Sequence, residues 1–122
     1  MLPPDLDNFI RDFVRSVWDL ELLLLLRRTA SRGWEPDELV RELRSSPLLV
    51  AEALLVLGRV GLVTQEKPGS YRYQAASPEL DEMVQRLETA YAKTPAAVTR
   101  AIWSAPNAKI QTFADAFRLK KD

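Results

Sequence analysis

Cysteine and histidine are both absent from this chain of 122 residues, and only four glycines are present. Without cysteine there are no disulfides, and the redox compartment is left open. Without histidine the chain lacks the usual general base and the commonest metal ligand. With so few glycines, the sequence contains no glycine-rich motif for binding phosphate. We therefore expect no enzyme, no cofactor and no metal site.

The chain also lacks a long hydrophobic run. Its leucine run, residues 22–26, is preceded by Glu21 and followed by Arg27. A membrane-spanning helix needs about twenty apolar residues, so this run predicts a buried helix instead. Near the N-terminus, Asp5 and Asp7 stand where a signal peptide would carry Lys or Arg. These features favour a cytoplasmic protein.

Neither positive nor negative charge is in excess, because the chain has 17 basic and 17 acidic residues. A protein that binds DNA mainly through phosphate contacts more often carries a basic excess. A local basic patch would be sufficient, so the balance does not exclude DNA. The hydrophobic share of 47% and the charged share of 28% are those of an ordinary globular chain.

Apolar residues recur at helical spacing over most of the first half of the chain. Proline, serine and glycine mark where the helices start and stop. The predicted helices are an N-terminal one that begins near Pro4, one from Ser16 to about Ser31 that Gly33 ends, one from Pro36, and one from Pro47 to Val60 that Gly61 ends. We expect Trp18, Trp34 and Trp103 to be core residues first of all, with an interface as the alternative for Trp103, which lies outside the first domain.

Two β-prone segments follow, residues 62–66 and 70–74, around Pro68 and Gly69, which predicts a hairpin. Helical spacing then returns after Pro78, after Pro95 and after residue 107. The fold class is therefore mainly α with a small β-hairpin. We divide the chain into a domain of residues 1–77 and a helical extension, residues 78–122, packed on that domain or used for dimerisation.

Several motifs, each weakly specific by itself, follow one another along these elements. They are Trp34-x-Pro36-x-Glu38-Leu39-Val40-x-x-Leu43, then Ser46, Val50, Leu54 and Leu57, then Gly61-Leu62-Val63, and Gly69-x-Tyr71-x-Tyr73. In this order the chain resembles the winged helix-turn-helix superfamily, most of all MarR-like and ArsR-like bacterial transcription regulators. The resemblance implies that the fourth helix enters the DNA major groove and that the hairpin is a wing on the sugar-phosphate backbone.

The first functional expectation, implied by the resemblance, is a DNA-binding transcription regulator. We expect it to act as a dimer through the first helix and the C-terminal helices. Its candidate DNA contacts are Ser45, Ser46, Arg59, Lys67 and Arg72. The wing charges have a plainer interpretation as solvated groups, with a tyrosine of the second strand packed inward. Arg27 and Arg28 are typical of a helix end that complements the helix dipole and reaches solvent.

The outward face of the fourth helix favours a different function. Its residues would be Pro47, Leu48, Ala51, Glu52, Leu55 and Arg59. Base reading needs Arg, Lys, Asn, Gln, Ser or Thr, and none occurs between Pro47 and Gly58. Residues 34–60 carry five acids against three bases. The alternative is a protein-protein interaction module that does not bind DNA directly, with interface candidates Leu48, Glu52, Leu55, Trp103 and Phe117.

Exposed leucines on that helix would be costly, so we expect the face to be covered by the C-terminal third of the chain or by another protein. Residues 107–122, with four bases and two acids, are the most basic part of the chain. They are interpreted as a contact with DNA or a partner, or as a solvated tail after a packed helix. Asp81 lies in the first turn of its predicted helix, where acids suit the dipole.

Overall fold

A computed structural model describes residues 2–104 of the chain. Helices dominate it, with one small antiparallel hairpin, so the predicted fold class is confirmed at that level. The elements in chain order are α1 Pro4–Phe13, α2 Val17–Arg28, α3 Pro36–Leu43, α4 Pro47–Val60, β1 Val63–Lys67, β2 Ser70–Tyr73, α5 Pro78–Lys93 and α6 Pro95–Trp103. The helix predicted after residue 107 lies outside the described residues.

Serine caps start three of the helices. Ser16, Ser46 and Ser77 each accept a hydrogen bond from the backbone N–H three residues further on, at 3.1–3.2 Å. Such a bond satisfies one of the N–H groups that a helix start leaves without a partner. In α4 and α5 a proline follows the cap directly, where its missing N–H costs nothing. The predicted helix starts at these positions are confirmed.

The end of α2 differs from the prediction. The helix ends at Arg28, and Thr29 closes it by donating its hydroxyl to the Leu25 carbonyl at 2.7 Å. Gly33 therefore does not end this helix. It lies where a Cβ would collide with the Ser70 hydroxyl, so glycine here allows the loop after α2 to approach the hairpin.

That approach adds a third strand-like segment to the hairpin. Val63 of β1 pairs with Tyr73 of β2 in antiparallel register. On the other side of β2, Trp34 and Tyr71 exchange backbone hydrogen bonds of 2.7 and 2.8 Å. The Trp34 indole also donates to the Thr29 hydroxyl at 2.8 Å. The sequence analysis did not predict this bridge, because a single paired residue has no periodicity.

One apolar core connects all parts of the described chain. Its centre is α2, in which Leu20, Leu22–Leu24 and Leu26 are almost completely buried. α2 packs against α3, α4 and β2, while α1 packs against α4, α5 and α6. Val84 and Leu87 of α5 and Val98 and Ile102 of α6 belong to the same core. The two helices after residue 77 are therefore packed on the first helix and do not extend over the outer side of α4.

The three tryptophans do not share the core position that was expected of them. Trp34 is buried, with 7% of its surface exposed. Trp18 is 46% exposed and Trp103 is 73% exposed, so neither is a core residue of the part of the chain that the structure describes. The alternative for Trp103, an interface position, stays a prediction. Trp18 is in the first turn of α2 and Trp103 is the last residue of α6. At these helix ends, no other element within residues 2–104 covers the two side chains.

A polar cluster ties α5 to the centre of the fold. Asp81 accepts hydrogen bonds from the Tyr73 hydroxyl at 2.6 Å and from Arg27 at 3.3 Å. Glu88, two turns further along α5, forms 3.0 Å ion pairs with both Arg27 and Arg28. The interpretation of Arg27 as a solvated helix end is wrong, because its side chain is held by two carboxylates of α5.

The charges in this cluster shift two pKa values in opposite directions. The hydrogen bond from Tyr73, together with Arg27, lowers the pKa of Asp81 below 3.8. Burial, and then the hydrogen bond to Asp81, raises the pKa of Tyr73. At the outer edge of α5, Arg86 binds Asp5 of α1 at 2.8 Å and lowers the pKa of that carboxyl to about 2. The carboxylates of Asp81 and Asp5 are thus kept ionised by the groups that join α5 to its neighbours.

Replacing Gly61 with alanine should destabilise the fold more than the same change at Gly69. Both glycines have positive φ, 93° and 81°, where an alanine is strained by about 1–3 kcal/mol. A Cβ at Gly61 would also stand 3.0 Å from Ala76 Cβ, whereas one at Gly69 meets nothing within 4 Å. Urea unfolding of Gly61→Ala and Gly69→Ala measures both losses. Equal losses would contradict the close contact with Ala76.

Replacing Asp81 with asparagine should make the stability less sensitive to acid. Because the folded-state pKa of Asp81 is lowered, its stabilisation is complete above its ordinary pKa of 3.8, begins to fall below that value, and is lost as the pH falls through the lowered folded-state pKa. The free energy of unfolding in urea, measured at pH 7 and near pH 3, should therefore change less in Asp81→Asn than in the original chain. The control is Glu79→Gln, an exposed acid of the same turn. An equal change in both variants would disprove the contribution of Asp81.

Candidate interaction surface

α4 has one buried face and one open face. Val50, Ala53, Leu54 and Leu57 are buried on the inner side. The open side, which we call the outer face, consists of Pro47, Leu48, Ala51, Glu52, Leu55 and Arg59, and all six are exposed. Leu48 is 67% exposed and Leu55 is 55% exposed. The sequence-based prediction of which residues form this face is confirmed.

The expected covering of the outer face is not found in the described part of the chain. α5 and α6, the described portion of the C-terminal third, pack on α1 and on α2. The expectation that the C-terminal third of the chain covers this face is therefore wrong for its described residues, which end at residue 104. Leu48 and Leu55 remain open, although burying each leucine would be worth about 1.5–3 kcal/mol.

The apolar surface continues beyond the outer face toward α2. Leu49, next to Leu48, is 37% exposed and lines a shallow cleft together with Trp18. The apolar patch therefore comprises Trp18, Leu48, Leu49 and Leu55. Trp18 and Leu49 were not among the predicted interface residues, because their exposure depends on how α2, α3 and α4 meet and not on the periodicity of one helix.

Very little charge accompanies this patch. Between Pro47 and Gly58 the one ionisable residue is Glu52. Its carboxylate is 48% exposed and lies 4.0 Å from Arg15, at the limit of an ion pair. Arg15 itself is engaged more closely by the buried Asp19, at 2.8 Å. Glu52 is therefore available to a cation from outside.

A groove separates the outer face from the hairpin. It has a volume of about 510 Å³ and lies between α4, the start of α3 and the two strands. Its lining residues are Pro36, Ala51, Leu54, Leu55, Gly58, Arg59, Val63, Gln65 and Tyr71. On the hairpin wall, the Gln65 amide donates to the Tyr71 hydroxyl at 2.6 Å. Arg59 is the one charged residue in this lining, so the groove is mostly apolar with polar groups on one wall.

Gly58 forms part of the groove and has no internal reason to be glycine. It lies inside α4, without positive φ, and a Cβ there would have only the Val63 carbonyl oxygen nearby, at 3.9 Å. Glycine inside a helix costs about 0.5–1 kcal/mol relative to alanine. The absence of a side chain leaves the backbone of α4 accessible from the groove, as close approach by another chain requires.

The five predicted DNA contacts have different environments. The Ser46 hydroxyl caps α4, and Ser45 is half-buried. Arg72 pairs with Glu66 across the hairpin at 3.0 Å, and its buried Nε has no hydrogen-bond partner. Arg59 and Lys67 are exposed and form no ion pair within residues 2–104. The structure thus leaves two of the five side chains directed to solvent without a described partner.

Arg32, a further cation near the hairpin, is also engaged within the fold. It pairs with Glu38 at 3.0 Å and stacks 3.8 Å above the Trp34 ring. Of the predicted interface residues, Trp103 is exposed, and Phe117 lies outside the described residues. Within the described chain, no group of three potential metal-ligating side chains is close enough to hold an ion.

Comparisons with protein-family models, with curated proteins and with solved structures gave no match to this chain. Over the residues that the structure describes, none of the helices combines the length and the apolarity that crossing a membrane requires.

Replacing Gly58 with alanine should stabilise the protein. Because the Cβ has open space and the backbone is helical, the change should raise the free energy of unfolding by about 0.5–1 kcal/mol. Urea unfolding gives this value, and Gly33→Ala serves as the comparison, since its Cβ would displace the Ser70 hydroxyl. A loss of stability in Gly58→Ala would show that this glycine is required inside the fold.

Proposed function

We propose that the chain is a winged helix-turn-helix protein whose outer face on α4 binds another protein. Three features support the fold assignment: the order of α2, α3 and α4 before the hairpin, the packing of α2 against both α3 and α4, and the short bridge at Trp34 beside β2. In this arrangement α4 corresponds to the recognition helix of such regulators and the hairpin corresponds to the wing.

The exposed apolar patch is the observation that carries the proposal. Four large hydrophobic side chains, Trp18, Leu48, Leu49 and Leu55, are accessible on adjoining parts of α2 and α4. Contiguous apolar surface of this kind usually marks a protein contact. Beside it, the groove lined by Gly58 and Tyr71 is open to a second backbone.

The chemistry of the surface indicates what kind of partner would fit. An amphipathic helix with an apolar stripe matches the leucines, in the helix-in-groove mode of recognition. A basic group on that helix would match Glu52, and it would also suit the acidic excess of residues 34–60. The partner that we propose is therefore a basic amphipathic segment.

A transcription regulator that binds DNA is the second candidate. Arg59, beside the groove, and Lys67, at the end of β1, are exposed cations at the positions where such a regulator contacts bases and phosphates. Its weakness is the outer face itself, on which Leu48, Glu52 and Leu55 cannot form the bidentate hydrogen bonds of base readout.

Photo-crosslinking tests the first candidate. We expect p-benzoylphenylalanine at Ala51 to give a discrete protein adduct in the native host, whereas the same group at exposed Glu79 of α5 gives none. Once the partner is identified, Leu55→Asp should weaken its affinity by about 30-fold, as for a central apolar contact. Lys67→Ala, an exposed change on the hairpin, should leave the affinity unaltered.

Fluorescence anisotropy with DNA fragments at about 50 and about 200 mM salt distinguishes the second candidate. Binding that falls steeply with salt, and that Lys67→Ala weakens while Leu55→Asp does not, would favour DNA as the ligand. Failure to obtain any adduct from position 51, both in this chain and in one in which Phe113→Asp and Phe117→Asp prevent the C-terminal residues from covering α4, would contradict the first candidate.

A further inference from the structure

The outer face of α4 has a candidate occupant within the chain itself. The described helices leave the apolar patch open, and 18 residues, 105–122, follow the last described residue. Whether these residues fit this face depends on their composition, on their charge and on where they leave the fold.

The composition of residues 105–122 matches the partner that the surface calls for. Ile110, Phe113, Ala114 and Phe117 recur at the spacing of one apolar helix stripe. Lys109, Arg118, Lys120 and Lys121 supply four basic groups against two acids, Asp115 and Asp122. The segment is therefore apolar along one predicted stripe and basic at its end.

The charges of the two parts of the chain are complementary. Residues 1–104 carry 13 bases and 15 acids, and residues 34–60 alone carry three bases and five acids. The chain as a whole is neutral because the segment 105–122 has two more bases than acids. The outer face itself has one acid, Glu52, and one base, Arg59, so the complementarity is between the segment and the described residues as a whole.

The segment also starts close to the outer face. Ser104, the last described residue, accepts a 3.2 Å hydrogen bond from Arg11 through its carbonyl. Arg15, four residues after Arg11, lies 4.0 Å from Glu52 of the outer face. A chain of 18 residues spans up to about 60 Å when it is extended. The distance from Ser104 to α4 is therefore well within its reach.

We propose that residues 105–122 bind the outer face of α4 in the same molecule, with Phe113 and Phe117 against Leu48 and Leu55. The inference depends on the proposed function, since it makes this segment the resident competitor of the protein partner. A tethered segment has an effective concentration of the order of millimolar. An external partner then has to displace it, which makes partner binding a regulated step.

Thiol labelling tests this contact cleanly because the chain has no cysteine of its own. The probe is Ala51→Cys, which places one thiol on the outer face and retains both leucines. The reference is Glu79→Cys, an exposed position on α5. Both are made in the full chain, and the rate of reaction with a soluble maleimide is measured at several protein concentrations.

The perturbation is the pair Phe113→Asp and Phe117→Asp, introduced together. Its matched control is Ala108→Asp with Thr112→Asp, which adds the same charge away from the apolar stripe. If the segment covers α4, the thiol at position 51 reacts about tenfold faster in the phenylalanine variant than in the control variant, because the covered state excludes the reagent. The thiol at position 79 should react at one rate in all chains.

Equal labelling rates at position 51 in the two variants would overturn the inference, and the outer face would then be open to an external partner, as the proposed function requires. Slow labelling that becomes fast on dilution would also overturn it, by assigning the cover to a second copy of the chain. A synthetic peptide of residues 105–122, added to the phenylalanine variant, should restore slow labelling. Failure of the peptide to do so at millimolar concentration would contradict a specific contact.

Discussion

The burial of α2 is the constraint on which the rest of the structure depends. Its leucines point in several directions around the helix axis, and Leu22–Leu24 and Leu26 are all buried. A helix that is apolar nearly all round has to be enclosed. α3, α4 and β2 contact it directly, while Arg27 and Arg28 at its end hold α5. Because α4 contributes one face to this enclosure, none of the other elements within residues 2–104 covers its opposite face.

Much of the fold could be predicted from local signals. A serine followed by a proline at the start of a helix satisfies its backbone within a few residues, so the starts of α4 and α5 were predicted correctly. The end of α2 was not, because Gly33 has a tertiary role against Ser70. The bridge from Trp34 to Tyr71 and the bond from Arg27 to Asp81 join residues far apart in sequence. No local pattern reveals such pairs.

The candidate site likewise combines residues that a local pattern predicted with residues whose environment depends on distant parts of the chain. The outer face of α4 follows from the helical period, so Leu48 and Leu55 were placed correctly. Trp18 was not, since hydrophobicity alone does not show that the start of α2 has no neighbour within the described residues to cover this side chain. The pairing of Arg72 with Glu66 depends on the strand register of the hairpin. The turn residues predicted a hairpin but not which residues of the two strands lie side by side. The roles of these residues in binding remain predictions.

The bridge at Trp34 has a consequence for how copies of this protein associate. Since Tyr71 pairs with Trp34 on one side and β2 pairs with β1 on the other, β2 is an inner strand over that stretch. The remaining free edge belongs to β1, which is five residues long and carries Glu66 and Lys67. A short, charged edge is a poor template for strand addition. Edge-to-edge sheet growth, a common origin of aggregation, is therefore disfavoured at β1.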